Sequence, residues 1–124
     1  MGGKILLFGF DALLNVLALE NAVKPLNVEV VPVVRADYNK TLAALAGLDM
    51  APGTVMPYAG GPLGGRMLVL CGLEKQIDAL LPVLRQAGAG PECLKAVLTP
   101  HNRGWNPVML YGELLREHRE MQGK

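Results

Sequence analysis

Two short apolar runs, each broken by a glycine and each followed by helix-patterned sequence, set what this chain can fold into. Ile5-Leu6-Leu7-Phe8-Gly9-Phe10 lies over Leu68-Val69-Leu70-Cys71-Gly72-Leu73 at an offset of 63. Leu14 and Leu17 lie over Ile77 and Leu80 at the same offset. Further on the offset becomes 65, with Val33-Val34 over Leu98-Thr99 and Leu45 over Leu110. A continuous apolar run of this length suits a strand covered on both faces. Strands that alternate with helices predict a layered α/β fold with largely parallel pairing. The order reads β-α-β-α, a glycine-rich loop, then β-α-β-α again. That gives two βαβα halves, about 4–48 and 67–119, building one four-stranded sheet with helices. An internal duplication accounts for the likeness of the halves. So does the strand, glycine and amphipathic helix that any two such units share, and the sequence leaves both open.

Local signals place the elements. Asp11 stands where a helix N-cap belongs, Leu14, Leu17 and Val23 follow at helical spacing, and Pro25 ends the helix. Val28–Val34 is rich in β-branched residues. Pro32 within it removes a ladder donor, which assigns the strand to an edge or a bulge. Asp37 or Asn39 can cap a second helix over Lys40–Ala46, with Leu42 and Leu45 inward and Gly47 as its stop. Residues 49–66 hold five glycines and three prolines and read as a loop, with one extended piece at Thr54–Met56. Met67–Cys71 is the third strand. Glu74–Gln86 is a helix with Ile77, Leu80, Leu81 and Leu84 on one stripe and Pro82 kinking it. Leu94–Thr99 is the fourth strand. Asn106-Pro107 is an N-cap with proline in the first helical position, and Val108, Tyr111, Leu114, Leu115 and His118 share one face of the helix that follows. The residues from Met121 onward are expected to fray.

A chain of 124 residues is the size of a single domain, 1–124, and can bury a core without disulfides. Twelve Lys and Arg stand against eleven Asp and Glu, with both signs scattered. That balance excludes the basic footprint of a nucleic-acid binder and the polybasic signal of a membrane-surface protein. No apolar stretch approaches the length of a membrane span. Asp11 and Asn15 interrupt the first apolar run before it becomes a signal sequence, and Leu6 breaks the myristoylation pattern after Gly2. With two cysteines and no disulfide framework, the expected setting is the cytoplasm, and Cys71 and Cys93 are expected as small buried hydrophobes.

The densest polar cluster is Lys95–Pro107, KAVLTPHNRGWNP. Thr99 and Asn102 can supply hydrogen bonds, His101 a titratable donor, Arg103 a bidentate cation and Trp105 a stacking wall. Amide groups near a helix start add positive potential, so the corner could hold a carboxylate or phosphate. Arg35 and Asn39 follow the second strand as Thr99 to Arg103 follow the fourth. A structural reading explains the same residues. Trp105 and Leu110 have hydrophobic-staple spacing, Asn102 suits an Asx-turn, and Gly104 suits positive φ. Lys95 lies near a strand start, where its ammonium can reach water along the apolar surface.

No other pattern carries chemistry. Pro57–Arg66 lacks the phosphate-loop signature and precedes a strand rather than a helix. There is no nucleophile elbow and no second acid placed for acid–base work beside Asp11. His101, His118, Cys71 and Cys93 lack metal-ligand spacing. A Cys71–His101 nucleophile pair is allowed by topology and demanded by nothing.

The spacing Lys95-x-x-x-Thr99-x-x-Asn102-x-x-Trp105, followed by the helix core Leu110 to Leu115 and preceded by Gly72-Leu73, Ile77, Leu80-Leu81 and Leu84, resembles the C-terminal signature of a bacterial domain-of-unknown-function family. The resemblance covers about 67–119. It implies a small bacterial α/β protein and assigns no activity, cofactor or catalytic residue. Lys95, Thr99, Asn102 and Trp105 transfer only as signature positions.

Two functions are therefore carried forward. The first is a non-catalytic binding or interaction module, without cofactor or metal, that associates with itself, motivated by the apolar excess and six methionines. The second is a binder of a small anion or metabolite, or an enzyme acting on one, using Arg35, Asn39, Thr99, His101, Asn102, Arg103 and Trp105.

Overall fold

The structure is a computed structural model that describes residues 3–48 and 56–122. Its strands are β1 (Lys4–Phe8), β2 (Glu29–Val33), β3 (Met67–Cys71) and β4 (Leu94–Val97). Its helices are α1 (Leu13–Val23), α2 (Leu42–Leu45), α3 (Ile77–Gln86) and α4 (Pro107–Gln122), with single 3-10 turns at 24–26, 35–37 and 74–76. The four strands form one mixed sheet in the order β2-β1-β3-β4.

Each half builds a parallel pair, β1 with β2 and β3 with β4. The two pairs meet antiparallel at β1 and β3, with Lys4 opposite Cys71 and Phe8 opposite Met67. Leu6 and Val69 face each other at the centre of that register. This central antiparallel pairing is what the alternation of elements did not reveal. It follows from the long connection after α2. The chain leaves α2 beside Lys4, whose ammonium donates to the Ala46 carbonyl at 3.0 Å, and re-enters the sheet opposite Phe8. β3 therefore begins at the end of β1 far from α2.

Burial follows strand parity. Ile5, Leu7, Leu68 and Leu70 face α1 and α3, in a core completed by Val16, Leu19, Val23, Leu80 and Leu84. Leu6, Phe8, Met67, Val69 and Cys71 face the opposite layer, built from Tyr38, Leu42, Ala46 and Leu110. Both central strands are thus covered on both sides, as their unbroken apolar runs predict. Pro32 sits on the edge strand β2, where a missing ladder donor is tolerated.

Several boundaries differ from the sequence reading. Ala12, not Asp11, occupies the N-cap of α1, and no side chain caps it. The buried stripe of α1 is Val16, Leu19 and Val23, which leaves Leu14 and Leu17 outside. α2 is a single turn capped by Thr41, shorter than Lys40–Ala46. α3 starts at Ile77 behind a 3-10 turn and runs through Pro82. β4 ends at Val97, so Thr99 belongs to the corner. On α4 the inward residues are Leu110, Tyr111 and Leu114, while Val108 and His118 are exposed. The expected extended piece at Thr54–Met56 lies, save Met56, outside the described residues, and Met56 is in no strand. The expected fraying from Met121 lies outside the described side chains.

Candidate functional site

Backbone parity decides what the corner after β4 can do. The Leu94 amide donates to the Arg66 carbonyl and the Leu98 amide to the Leu70 carbonyl, so Lys95, Val97 and Thr99 turn their amides and carbonyls away from β3. Asn102 fills part of that outward side. Its Nδ2 donates to the Val97 carbonyl at 3.0 Å, and its Oδ1 accepts from the Thr99 amide at 2.9 Å. The side-chain amide thus makes the pair of bonds that a residue of a neighbouring parallel strand would make. Only 8 % of Asn102 is exposed.

The rest of the corner is held by its own chain. The Asn102 amide donates to Thr99 Oγ1, the Arg103 amide to the Thr99 carbonyl, and the Trp105 amide to the Asn102 carbonyl. The carbonyls of Trp105 and Arg103 accept from the amides of Leu42 and Ala43 at 2.9 and 3.1 Å. Those are the first two amides of α2, and the third, Ala44, donates to Thr41 Oγ1. At α4 the Met109 amide donates to Asn106 Oδ1 and Pro107 has none to give. The amides on which an anion site at a helix start would rely are largely bonded within the chain.

The other predicted positions divide by place. His101 and Trp105 stack edge to face, with ring centroids 5.2 Å apart, and line a groove of about 500 Å³ between β4 and α4 with Asn102 and Thr99. Arg103 lies with Gly72, Glu74, Leu98 and Thr99 around a neighbouring cleft of about 240 Å³. Lys95 is half-buried and does not face the core: its ammonium donates to the carbonyls of Gly90 and Cys93 at 2.8 and 3.1 Å. Arg35 lies in the 3-10 turn after β2, and Asn39 Nδ2 donates to the Met56 carbonyl. β2 and β4 are opposite edges of the sheet, and the antiparallel centre places their C-terminal ends at opposite ends of it. Arg35 and Asn39 line neither cleft beside Thr99.

Cys71 and His101 also stand apart. Cys71 is buried and borders a cleft with Lys4, Gly47 and Gly72, whereas His101 is in the β4–α4 groove. Burial pushes the Cys71 thiol up to about 11, so it is not a ready thiolate. Cys93 is buried as well, and burial raises its thiol too. Among the described residues, no group of three or more His, Cys, Asp and Glu side chains could hold a metal ion.

The feature that sequence periodicity missed is on α1. Leu13, Leu14 and Leu17 are 70, 79 and 43 % exposed on one side of the helix. Because α1 is apolar on nearly every side, spacing alone could not choose its inward face. The only available signal was the surplus of leucine itself.

Residues 66–121 match the model of a family described as a domain of unknown function, DUF3783. The match takes in β3, α3, β4, the corner and nearly all of α4, which is the span whose signature drew the resemblance. This part of the chain is similar to the sequences of that family. Neither the curated proteins nor the solved structures give a match to the chain. Among the described residues, no helix is long and apolar enough to cross a membrane.

Proposed function

We propose that this chain is a non-catalytic interaction module that associates with a second copy of itself through α1. The observation that supports the reading is the exposure of Leu13, Leu14 and Leu17 within little more than one helical turn. Burying a leucine side chain fully stabilises by about 1.5–3 kcal/mol, so three of them together can drive a helix-to-helix contact. Asn15, Glu20 and Asn21 are the polar residues near the stripe, and Glu20 is the one charged residue of α1. One helical face is smaller than the ~800 Å² per partner of a standard interface, so the association is weak and concentration-dependent.

The chain is read as one domain, with its two halves descended from one unit. The pairing of first strand residue with first strand residue in both halves and the positive-φ glycines Gly9 and Gly72 support that descent. A cytoplasmic setting is supported by two free, buried cysteines. Sedimentation of the full chain from micromolar to millimolar concentration tests the self-association. The wild type is expected to shift toward dimer, and Leu14→Glu or Leu17→Glu to stay monomeric with unchanged circular dichroism. A wild type that remains monomeric across the range removes this function.

A further inference from the structure

The two edges of the sheet are closed in different ways. At β2 the Glu29 amide donates to the Gly3 carbonyl, so parity turns Val30 and Pro32 outward, and Pro32 has no N–H to offer. That edge lacks the outward donor at Pro32 and keeps only the one at Val30 along the strand. At β4 the Asn102 carboxamide covers the Val97 carbonyl and the Thr99 amide and stops there. The next outward pair, the Lys95 carbonyl and the Val97 amide, has no partner among the described residues. A residue placed opposite Ala96 in a strand parallel to β4 would bond both, in register with Asn102.

The groove beside this open pair suits such a strand. Trp105, Leu110 and Leu114 give it an apolar wall, and Glu113, Arg116 and Glu117 a charged one with an acidic excess. Arg116 is held by Glu113 and Glu120 at 2.6 and 2.8 Å, which leaves Glu117 without an ion pair among the described residues. A second copy is blocked here in the register centred on Ala96. Two-fold antiparallel pairing of β4 about Ala96 would need the Val97 carbonyl from the side that Asn102 Nδ2 occupies.

We infer that the β4 edge takes up an extended peptide segment of a partner protein as a short fifth strand. The segment runs parallel to β4 beside Lys95–Val97, with an apolar side chain over the Trp105–Leu114 wall and a lysine or arginine at Glu117. Backbone bonds supply attachment, and the apolar and charged walls supply selectivity. Asn102 sets where the added strand must end.

The surface is separate from the α1 face, so the test is run on the Leu14→Glu variant and is independent of self-association. The probe is a fluorescein-labelled peptide alternating lysine and valine. Controls are the same peptide with N-methylated backbone amides, and one with glutamate in place of lysine. The unmodified peptide is expected to give saturable anisotropy, at least about tenfold tighter than either control. It should also slow hydrogen exchange at the Val97 amide, and Glu117→Lys should weaken it by about tenfold. Equal binding of the N-methylated peptide would show charge attraction alone and overturn the inference. So would absence of saturable binding at millimolar peptide.

Discussion

Thr41 and Asn106 begin α2 and α4 with the same bond and meet across a shared corner. Thr41 Oγ1 accepts from the Ala44 amide at 3.1 Å, and Asn106 Oδ1 accepts from the Met109 amide at 2.9 Å. Donors and acceptors alike are 65 positions apart, the spacing that also relates β2 to β4 in their registers. The Leu42 amide, next to Thr41, donates to the carbonyl of Trp105, next to Asn106. Two helices of unequal length thus start from one hydrogen-bonded junction over the sheet.

Removing either cap should therefore loosen both helices. Thr41→Ala and Asn106→Ala are each expected to cost about 1 kcal/mol in urea unfolding. Because the caps share a junction, the double variant should cost less than the sum, by at least about 0.5 kcal/mol. Strict additivity would mean the two helix starts are independent.

Asn102 is predicted to matter for the fold whatever binds beside it. Asn102→Ala strands the Val97 carbonyl and the Thr99 amide in a mostly buried corner and should cost about 2–3 kcal/mol. Asn102→Asp keeps an acceptor for the Thr99 amide but sets a carboxylate oxygen against the Val97 carbonyl, so it should not rescue stability. Thermal melting of both variants checks this. An alanine variant within about 0.5 kcal/mol of wild type would show that the corner does not depend on the carboxamide.

The sequence was legible where a local rule narrowed the outcome. Ile5–Phe8 and Met67–Cys71 suited strands covered on both faces, Pro32 pointed to an edge or a bulge, and Asn106-Pro107 suited a helix start. It was less legible where two residues competed for one role. Asp11 and Ala12, or Asn39 and Thr41, differ by a position or two, and tertiary contacts choose between them. α1 offered leucines on both its faces, and only packing against α3 and β2 settles which side is inward. The antiparallel centre depends on where a long connection returns, which no local pattern encodes. Asn102 could be singled out as a hydrogen-bonding residue. That its partner would be the edge of β4 needed the ladder parity of a strand whose end was placed too late.

Alkaline pH should destabilise the fold through Cys71. Burial is the main cause of its raised pKa, Lys4 opposes it and Glu74 adds to it. Between the reference value of 9.0 and about 11, the unfolded chain has lost this proton while the folded chain keeps it. Raising pH through that window therefore favours unfolding, with full stability below it and a loss of about 2 kcal/mol by its upper end. Burial raises Tyr38 and Cys93 as well, so some slope persists without Cys71. The difference between wild type and Cys71→Ala isolates the thiol: urea midpoints at pH 8 and pH 10.5 should converge as pH rises. Parallel midpoints would show that Cys71 ionises as freely folded as unfolded.

Gly9 and Gly72 end β1 and β3 with φ of +79° and +70°, a conformation costly to any residue with a Cβ. Their surroundings differ. A Cβ on Gly72 would find its nearest neighbour, the Gly3 Cα, at 4.0 Å. On Gly9 it would meet the Gly65 carbonyl oxygen at 2.8 Å, a backbone atom in the glycine-rich connection. Gly72→Ala is thus expected to cost only the conformational penalty of about 1–2 kcal/mol. Gly9→Ala adds displacement of the Gly64-Gly65 segment, which packs beneath the Tyr111 hydroxyl, and should cost at least about 1 kcal/mol more. Glycines at equivalent positions would then be separated by what lies opposite them, and the ordering of the two unfolding midpoints decides it. Equal losses would mean that the connection yields freely at Gly65 and does not fix the end of β1.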